Sequence, residues 1–521
     1  MLLSPFKRSI PIICILLVLG GCASLPPNSN TLKSYALQDT TDTRLGKAYH
    51  ELKKDHSEKS GLLLLGNGLD AFTARLLLAQ GADRSIDAQY YMIRQDLTGA
   101  LFLDHLIKAA DRGVRVRVLL DDINLGDRDE LLAVLVGHPN IEIRIFNPFS
   151  RNVLRTPQFL TRFGSVTRRM HNKSFTVDNQ VTVVGGRNIG KEYFDADPDL
   201  TFADVDILAI GPVATEVSAS FDEYWNSKLS YPITILRPDL VGVRAFEEAR
   251  TELDQYLSQK SVSDYQRLLQ SSRLTKAIKE SSIQFTWGDA KVLADHPDKI
   301  KSYAADDAYK LTSQFKSSWE NLHSELLIFS PYFVPGTEGT KYLSDLSKSG
   351  IHVRILTNSL ASTDVGIVHA GYAKYRRPLL RAGVELYEIN KKANKEDTKD
   401  NKGLTGSSKA SLHAKSFIFD RKYVFIGSLN FDPRSVEENT EIGILLTSEE
   451  VADTVADAFD LITKKHAFRL ELQTDEDGIE YITWHGLENG KERIWISDPH
   501  TGFLRRFGLF FMGLLPIESQ L

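Results

Sequence analysis

The chain's 521 residues exceed one ordinary hydrophobic core, so two domains or one duplicated unit is expected. Its 42 % hydrophobic and 25 % charged content excludes a disordered chain. A formal net charge of −5 argues against a general nucleic-acid binder, which would be markedly basic, and leaves only local basic patches to consider.

The N-terminal stretch MLLSPFKRSIPIICILLVLGGCASLPPNSN puts Lys7 and Arg8 ahead of a short apolar run. That run falls well short of the roughly 20 residues a bilayer core requires. It reads as a secretory leader over residues 1–21. LGGC resembles a lipobox, which would make Cys22 the lipidated first residue of the mature chain. A plain signal peptide and an uncleaved anchor are the alternatives. A diacylglyceryl group plus an amide-linked acyl chain such as palmitate would hold the protein on a membrane, where one chain alone is marginal. Ala23 and Ser24 follow, with no aspartate. By resemblance to Gram-negative sorting rules this favours the periplasmic face of the outer membrane over the inner. Cys14 and Cys22 are the only cysteines, so the mature chain would keep none for a disulfide or a thiolate metal site.

Residues 22–60 are polar and read as a tether. GLDAFTARLLLAQGA (68–82) has helical spacing, and SIDAQYYMI (85–93) alternates as a strand. GALFLDHLIKAADRG (99–113) is an amphipathic helix closed by Gly113, and VRVRVLLDD (114–122) is a strand. Strand–helix–strand implies parallel pairing in an α/β layer fold, assigned to a first unit over 61–227. Residues 228–310 are polar and helix-rich and read as a helical linker. The order then recurs in a second unit over 311–521, with a strand at 324–334, a helix at 339–350 and a strand at 351–359. Tyr90 and Tyr332 are 242 residues apart, as are His171 and His413. This is an internal duplication of a whole half-domain. The insert KKANKEDTKDNKGLTGSSK (391–409) reads as a flexible loop, either a plain solvated one or a gate over a site.

RRMHNKSFTVDNQVTVVGGRNIG (168–190) and SLHAKSFIFDRKYVFIGSLNFDPRS (411–435) share the pattern H-x-K-x4-D-x6-G-[GS]-x-N. The first supplies His171, Lys173, Asp178, Gly186 and Asn188; the second supplies His413, Lys415, Asp420, Ser428 and Asn430. In an extended segment residues i and i+2 share a face, which sets each histidine beside its lysine. VTVVGG and YVFIGS read as returning strands that bring each asparagine back toward its own pair. The chemistry this suits is attack on a phosphodiester. One histidine serves as nucleophile and the other as acid, then base. Lys173, Lys415, Asn188, Asn430 and Ser428 offer donors for the non-bridging oxygens. Metal binding is disfavoured because lysines beside the histidines oppose a cation and no HExxH-type cluster occurs. Each histidine needs a carboxylate to orient its ring. Asp204 follows the first motif and Glu441 the second at comparable distance, with Asp206 as competitor for the first role.

The doubled H-x-K-x4-D pattern resembles that of the phospholipase D superfamily. SIDAQYYMI, RGVRVRVLLDD, RRMHNKSFTVD, VVGGRNIG, SPYFVPG, GYAKYRRPLLRAGVELYE and SLHAKSFIFD together resemble bacterial cardiolipin synthases of the C type. The resemblance runs from about residue 62 to the C-terminal LLPIESQL. It implies an α/β fold of two duplicated phospholipase D-like half-domains, each a mixed sheet flanked by helices, with the active site at the pseudo-twofold interface. It also implies phosphatidyl transfer to phosphatidylglycerol through a phosphohistidine, without a cofactor. His171 would be nucleophile by analogy and His413 general acid, with phosphatidylethanolamine as donor. By family pattern Asp178 and Asp420 support the fold of each motif.

Arg151, Arg155, Arg162, Arg168 and Arg169, interleaved with Phe149, Phe159 and Phe163, read either as a hold on anionic lipid or as solvated arginines. TGFLRRFGLFFMGLLP (501–516) reads as an interfacial membrane element or a segment docked on the core. A hydrolytic phospholipase D and a secreted phosphodiesterase acting on nucleic acid are the competing functions. Net acidity and the lipid anchor weigh against the second, so no nucleic-acid partner is expected.

Overall fold

The computed structural model describes residues 24–513, apart from residues 30, 55, 57, 127, 198–199, 243, 302–305, 316–317, 319 and 394–409. Cys22, nearly all of the 391–409 insert and the last eight residues lie outside the described residues.

The first half contains α1 (Arg44–Leu52), β1 (Ser60–Leu65), α2 (Gly68–Gly81), β2 (Ser85–Tyr90), α3 (Leu97–Asp111), β3 (Arg115–Asp121), α4 (Asp129–Leu135), β4 (Ile141–Phe146), α5 (Arg155–Thr161), β5 (Ser174–Val177), β6 (Val181–Gly185), β7 (Thr201–Ala203), β8 (Asp206–Ile210), α6 (Pro212–Trp225) and β9 (Ser230–Pro232). The expected elements are present. Asp96 caps α3 by accepting from the Thr98 and Gly99 amides, and Gly113, at φ +90°, ends that turn. Strands β2, β3 and β4 pair in parallel and β5 runs antiparallel beside β2. Both faces of β2 are covered. Tyr90 meets Arg75 and Phe102 on one side, and Asp87 pairs with Arg117 on the other.

After α7 (Phe246–Leu257), β10 (Thr286–Ala294) opens the second half. It continues with β11 (Glu325–Phe329), α8 (Gly336–Lys348), β12 (His352–Thr357), α9 (Gly366–Ala373), β13 (Glu385–Ile389), β14 (Ala410–Leu412), β15 (Ser416–Phe419), β16 (Tyr423–Gly427), β17 (Ile442–Thr447), α10 (Glu449–Lys465), β18 (Ala467–Thr474), β19 (Glu480–Glu488), β20 (Lys491–Trp495) and α11 (Phe503–Gly513). The strand order 4-3-2-5-6-8-1 of the first half matches 13-12-11-15-16-17-10 of the second. β1 and β10 pair antiparallel across the pseudo-twofold and join the two sheets. A shared apolar core, with Ile207 and Val217 from one half and Ile426 and Val455 from the other, lies at that junction.

Two expected boundaries are corrected. The 228–310 segment is not all helix, because its β10 is the counterpart of β1 and belongs to the second half's sheet. Only two of its nine residues, Gly288 and Leu293, are buried, so its apolar alternation is faint in the sequence. The 22–60 segment is not merely a tether. Buried Arg117 and Arg144 donate to the Ser34 and Leu32 carbonyls, and Asp222 accepts from the Ala36 amide, binding this stretch to the first half.

Candidate active site

Both histidines lie just ahead of a buried strand, β5 for His171 and β15 for His413. The segment before each one pairs in parallel with a segment of the opposite half. Met170 bridges Thr440, and β14 pairs with β7. In consequence the His171 amide donates to the Thr440 carbonyl at 2.8 Å, and the His413 amide donates to the Ala203 carbonyl at 2.8 Å. The next residues along those partner segments are Glu441 and Asp204. His171 Nδ1 therefore sits 2.9 Å from Glu441 Oε2, and His413 Nδ1 sits 2.6 Å from Asp204 Oδ2. The carboxylates are exchanged between the halves: each histidine is oriented by the motif region it does not belong to. Asp206 is not a histidine partner, since it pairs with Arg75 and Arg187.

With Nδ1 engaged, Nε2 of each ring is left for chemistry. Lys173 Nζ donates to the His171 carbonyl at 2.5 Å, and Lys415 Nζ to the His413 carbonyl at 2.5 Å. Lys415 Nζ also lies 3.0 Å from His413 Nδ1. Burial, opposed by Glu441, lowers His171 to about 4. Burial and then the Lys415 charge hold His413 well below the usual imidazole range. Burial brings Lys415 down to about 8 and depresses Lys173 strongly. Two histidines and two lysines thus share one buried site, a set of donors that suits a phosphodiester.

Asn188 is linked through Tyr193 to the ring of the opposite motif, His413. The side-chain oxygens of Asn188 and Asn430 are both buried and without a hydrogen-bond partner. Asn188 Nδ2 donates to the Tyr193 hydroxyl at 3.0 Å. Ser428 is corrected from a phosphate donor to a support. Its hydroxyl donates to Glu441 Oε2 at 2.5 Å and accepts from the Ile442 amide. The equivalent Gly186 has no room for a side chain, because a Cβ there would lie 2.5 Å from Asp204 Oδ1.

Asp178 and Asp420 are turn residues that support the fold of each motif. Both have positive φ, +51° and +52°, in the hairpins β5–β6 and β15–β16. Asp178 accepts from the Asp83, Arg84 and Ser85 amides, and Asp420 from those of His323, Ser324 and Glu325. Each ties its hairpin to the start of the neighbouring parallel strand, at the end of the motif strand away from the histidine.

The basic segment is corrected too. Arg151 pairs with Asp122 and Asp129, Arg155 with Asp122, and Arg169 with Asp121. Arg168 donates to the Ile300 carbonyl and Arg162 to Gln158 Oε1. These guanidiniums brace the fold from within. α11 packs on α9, with Gly513 against Ala370, and still exposes Phe503, Leu504, Phe507, Phe511 and Met512. Both readings of that segment hold in part.

Several site residues carried no motif signal. Tyr91 presents its ring edge to His171 at a centroid distance of 5.0 Å, and Tyr193 does so to His413 at 5.1 Å. Strand alternation after Tyr90 was the one available cue to Tyr91. Asp295 accepts from the Glu441 amide at 2.8 Å and is raised to about 6 by burial. Among the described residues no group of three His, Cys, Asp or Glu is placed to hold a metal ion, and no helix is long and apolar enough to cross a membrane.

The model of a family described as cardiolipin synthase, PLD-like domain, matches residues 77–225 and 314–463, one range per half. The chain belongs to the phospholipase D-like cardiolipin synthase family. Cardiolipin synthase C of Escherichia coli (strain K12) is 41 % identical over 478 residues, 91 % of this chain and 99 % of that one. Cardiolipin synthase 1 of Bacillus anthracis is 28 % identical over 404 residues, 77 % of this chain and 66 % of that one. In fold, this cardiolipin synthase-family chain is like the phosphatidylserine synthase of Haemophilus influenzae Rd KW20, with a TM-score of 0.55 at 12 % identity, covering 91 % of this chain and 100 % of that one.

Proposed function

We propose that this phospholipase D-superfamily phosphatidyltransferase moves the phosphatidyl group of phosphatidylethanolamine onto the free glycerol hydroxyl of phosphatidylglycerol, forming cardiolipin and releasing ethanolamine. His171 Nε2 attacks phosphorus, the bond to the ethanolamine oxygen breaks, and His413 gives that oxygen its proton. His413 then takes the proton of the glycerol hydroxyl as that oxygen attacks phosphorus, and the phosphorus–nitrogen bond to His171 breaks. Lys173, Lys415, Asn188 and Asn430 stabilise the charge on the non-bridging oxygens. Burial first and then the Lys415 charge depress His413, and the negative phosphodiester draws a proton back to it by offsetting the second of these. Lipidation at Cys22 would hold the enzyme on the periplasmic face of a membrane, the outer one by preference.

The observation that carries this reading is the pair of imidazoles held at Nδ1 by carboxylates of the opposite half, leaving two Nε2 atoms for one phosphorus. The test supplies purified protein with isotopically labelled phosphatidylethanolamine and unlabelled phosphatidylglycerol in mixed micelles without added metal, with products identified by mass spectrometry. Cardiolipin carrying the labelled phosphatidyl group is expected. Phosphatidic acid alone would make water the acceptor and replace transfer with hydrolysis.

A further inference from the structure

Protein interiors hold few voids larger than a water molecule. The first half nevertheless contains an apolar cavity of about 680 Å³ between the sheet and the helices α3, α4 and α7. Val116, Val118 and Leu120 of β3 form its floor, and Leu106 of α3 and Leu253 of α7 form opposing walls. Its size lies within the range of roughly 300–1,000 Å³ usual for small-ligand clefts. Its floor and walls are apolar and suit an apolar guest, while charged side chains such as Arg128, Glu130 and Arg250 stand around it. No polar chemistry of the reaction uses it.

The cavity abuts the reaction site. Asn124 lines it and lies beside Tyr91, whose ring packs T-shaped against His171. Ile93 lines it and bridges to Ile189, the residue after Asn188. At this end Arg128 also lines the cavity, donating to the Ile93 carbonyl at 2.6 Å. A chain lying in the cavity would therefore leave it beside a cation and next to the nucleophilic imidazole. We propose that this cavity takes an acyl chain of a phospholipid substrate, drawing the lipid's phosphate toward His171. The inference rests on the phospholipid reading above and adds the place where the hydrocarbon goes. Apolar floor and walls with polar groups, Asn124 and Arg128, toward the reaction site match a lipid tail whose polar junction is where the ester meets the chain.

The test has two arms on the full chain. Ala249→Trp on α7 and Leu103→Trp on α3 fill the cavity from its half-exposed rim. Transfer with long-chain lipids is expected to fall at least tenfold in kcat/KM, while dihexanoyl lipids react within twofold of the unaltered protein. An equal effect on both chain lengths, or none on either, overturns the proposal while leaving the transfer reaction standing. The second arm needs neither variants nor turnover. Phosphatidylethanolamine and phosphatidylglycerol, each with a diazirine at the end of one acyl chain, are photolysed in separate samples with the unaltered protein. Adducts from either lipid within residues 97–135 or 246–257 are expected, and the sample that yields them identifies donor or acceptor. Adducts confined to other segments, such as the exposed face of α11, would reject the cavity as the site.

Discussion

His171 and Glu441 are 270 residues apart in the chain, yet Nδ1 of one lies 2.9 Å from Oε2 of the other. The mirror pair, His413 and Asp204, crosses in the opposite sense. Glu441→Gln keeps the shape and removes the charge that orients and stabilises an imidazolium. By analogy with other histidine–carboxylate pairs, kcat is expected to fall by about 10³-fold with KM little changed. Asp204→Asn should behave alike in steady-state assays. A loss below about tenfold in either would mean the pairing is not used.

His171→Ala and His413→Ala are each expected to lower turnover by about 10⁴-fold or more. The double variant should be no worse than either single one, because the two rings serve one reaction as a unit. Trapping with radiolabelled lipid in an alkaline quench, where the acid-labile phosphorus–nitrogen bond survives, should find phosphohistidine in the unaltered protein and in neither His171→Ala nor the double variant.

Ser428 holds Glu441 through its hydroxyl, a bond with no counterpart at Gly186. Ser428→Ala should cost about 1.4 kcal/mol of transition-state stabilisation, roughly tenfold in kcat/KM. Thermal unfolding measured alongside should show only a small change in Tm, which separates support of the carboxylate from general destabilisation.

The pH profile has a definite sign. His171 attacks only when neutral, and burial lowers it to about 4, so protonation removes activity only in strong acid. Lys415, lowered to about 8 by burial, loses its charge above that pH and with it part of the phosphate binding. In kcat/KM the acid limb is expected well below the ordinary histidine value, the alkaline side should fall as free His413 loses its proton, and a further decline near 8 should mark neutralisation of Lys415. An acid limb near 6.5 would show His171 to be less desolvated than its surroundings imply.

Asp178 is fully buried and accepts three backbone amides with a conformation, φ +51°, that asparagine tolerates. Asp178→Asn removes the charge and turns one of the two accepting oxygens into a donor, lowering stability by about 2 kcal/mol in urea unfolding. The folded fraction should retain near-normal kcat.

The duplicated strand–helix–strand order and the two motifs were legible because period-2 and helical spacing are local properties of the chain. The donors on each motif were legible for the same reason. The exchange of carboxylates was not, since it depends on two parallel pairings between segments more than 200 residues apart. Spacing put Asp204 after the first motif and Glu441 after the second and could not show that the pairs cross. The arginines at 151–169 misled in a related way. Their composition suggested an anion site, while Asp121, Asp122 and Asp129, which occupy them, come from strand ends and helices elsewhere. β10 was missed because a strand half-exposed along most of its length leaves a weak apolar rhythm.

The crossing of the two histidine–carboxylate pairs also constrains how this chain can change. Neither half carries a finished catalytic couple, so a fragment ending near residue 285 would be inert on its own however well it folded. The same wiring frees the copies to diverge, because damage to one motif is felt first at the other's ring. Gly186 facing Asp204 and Ser428 facing Glu441 are a place where the two copies differ around their carboxylates.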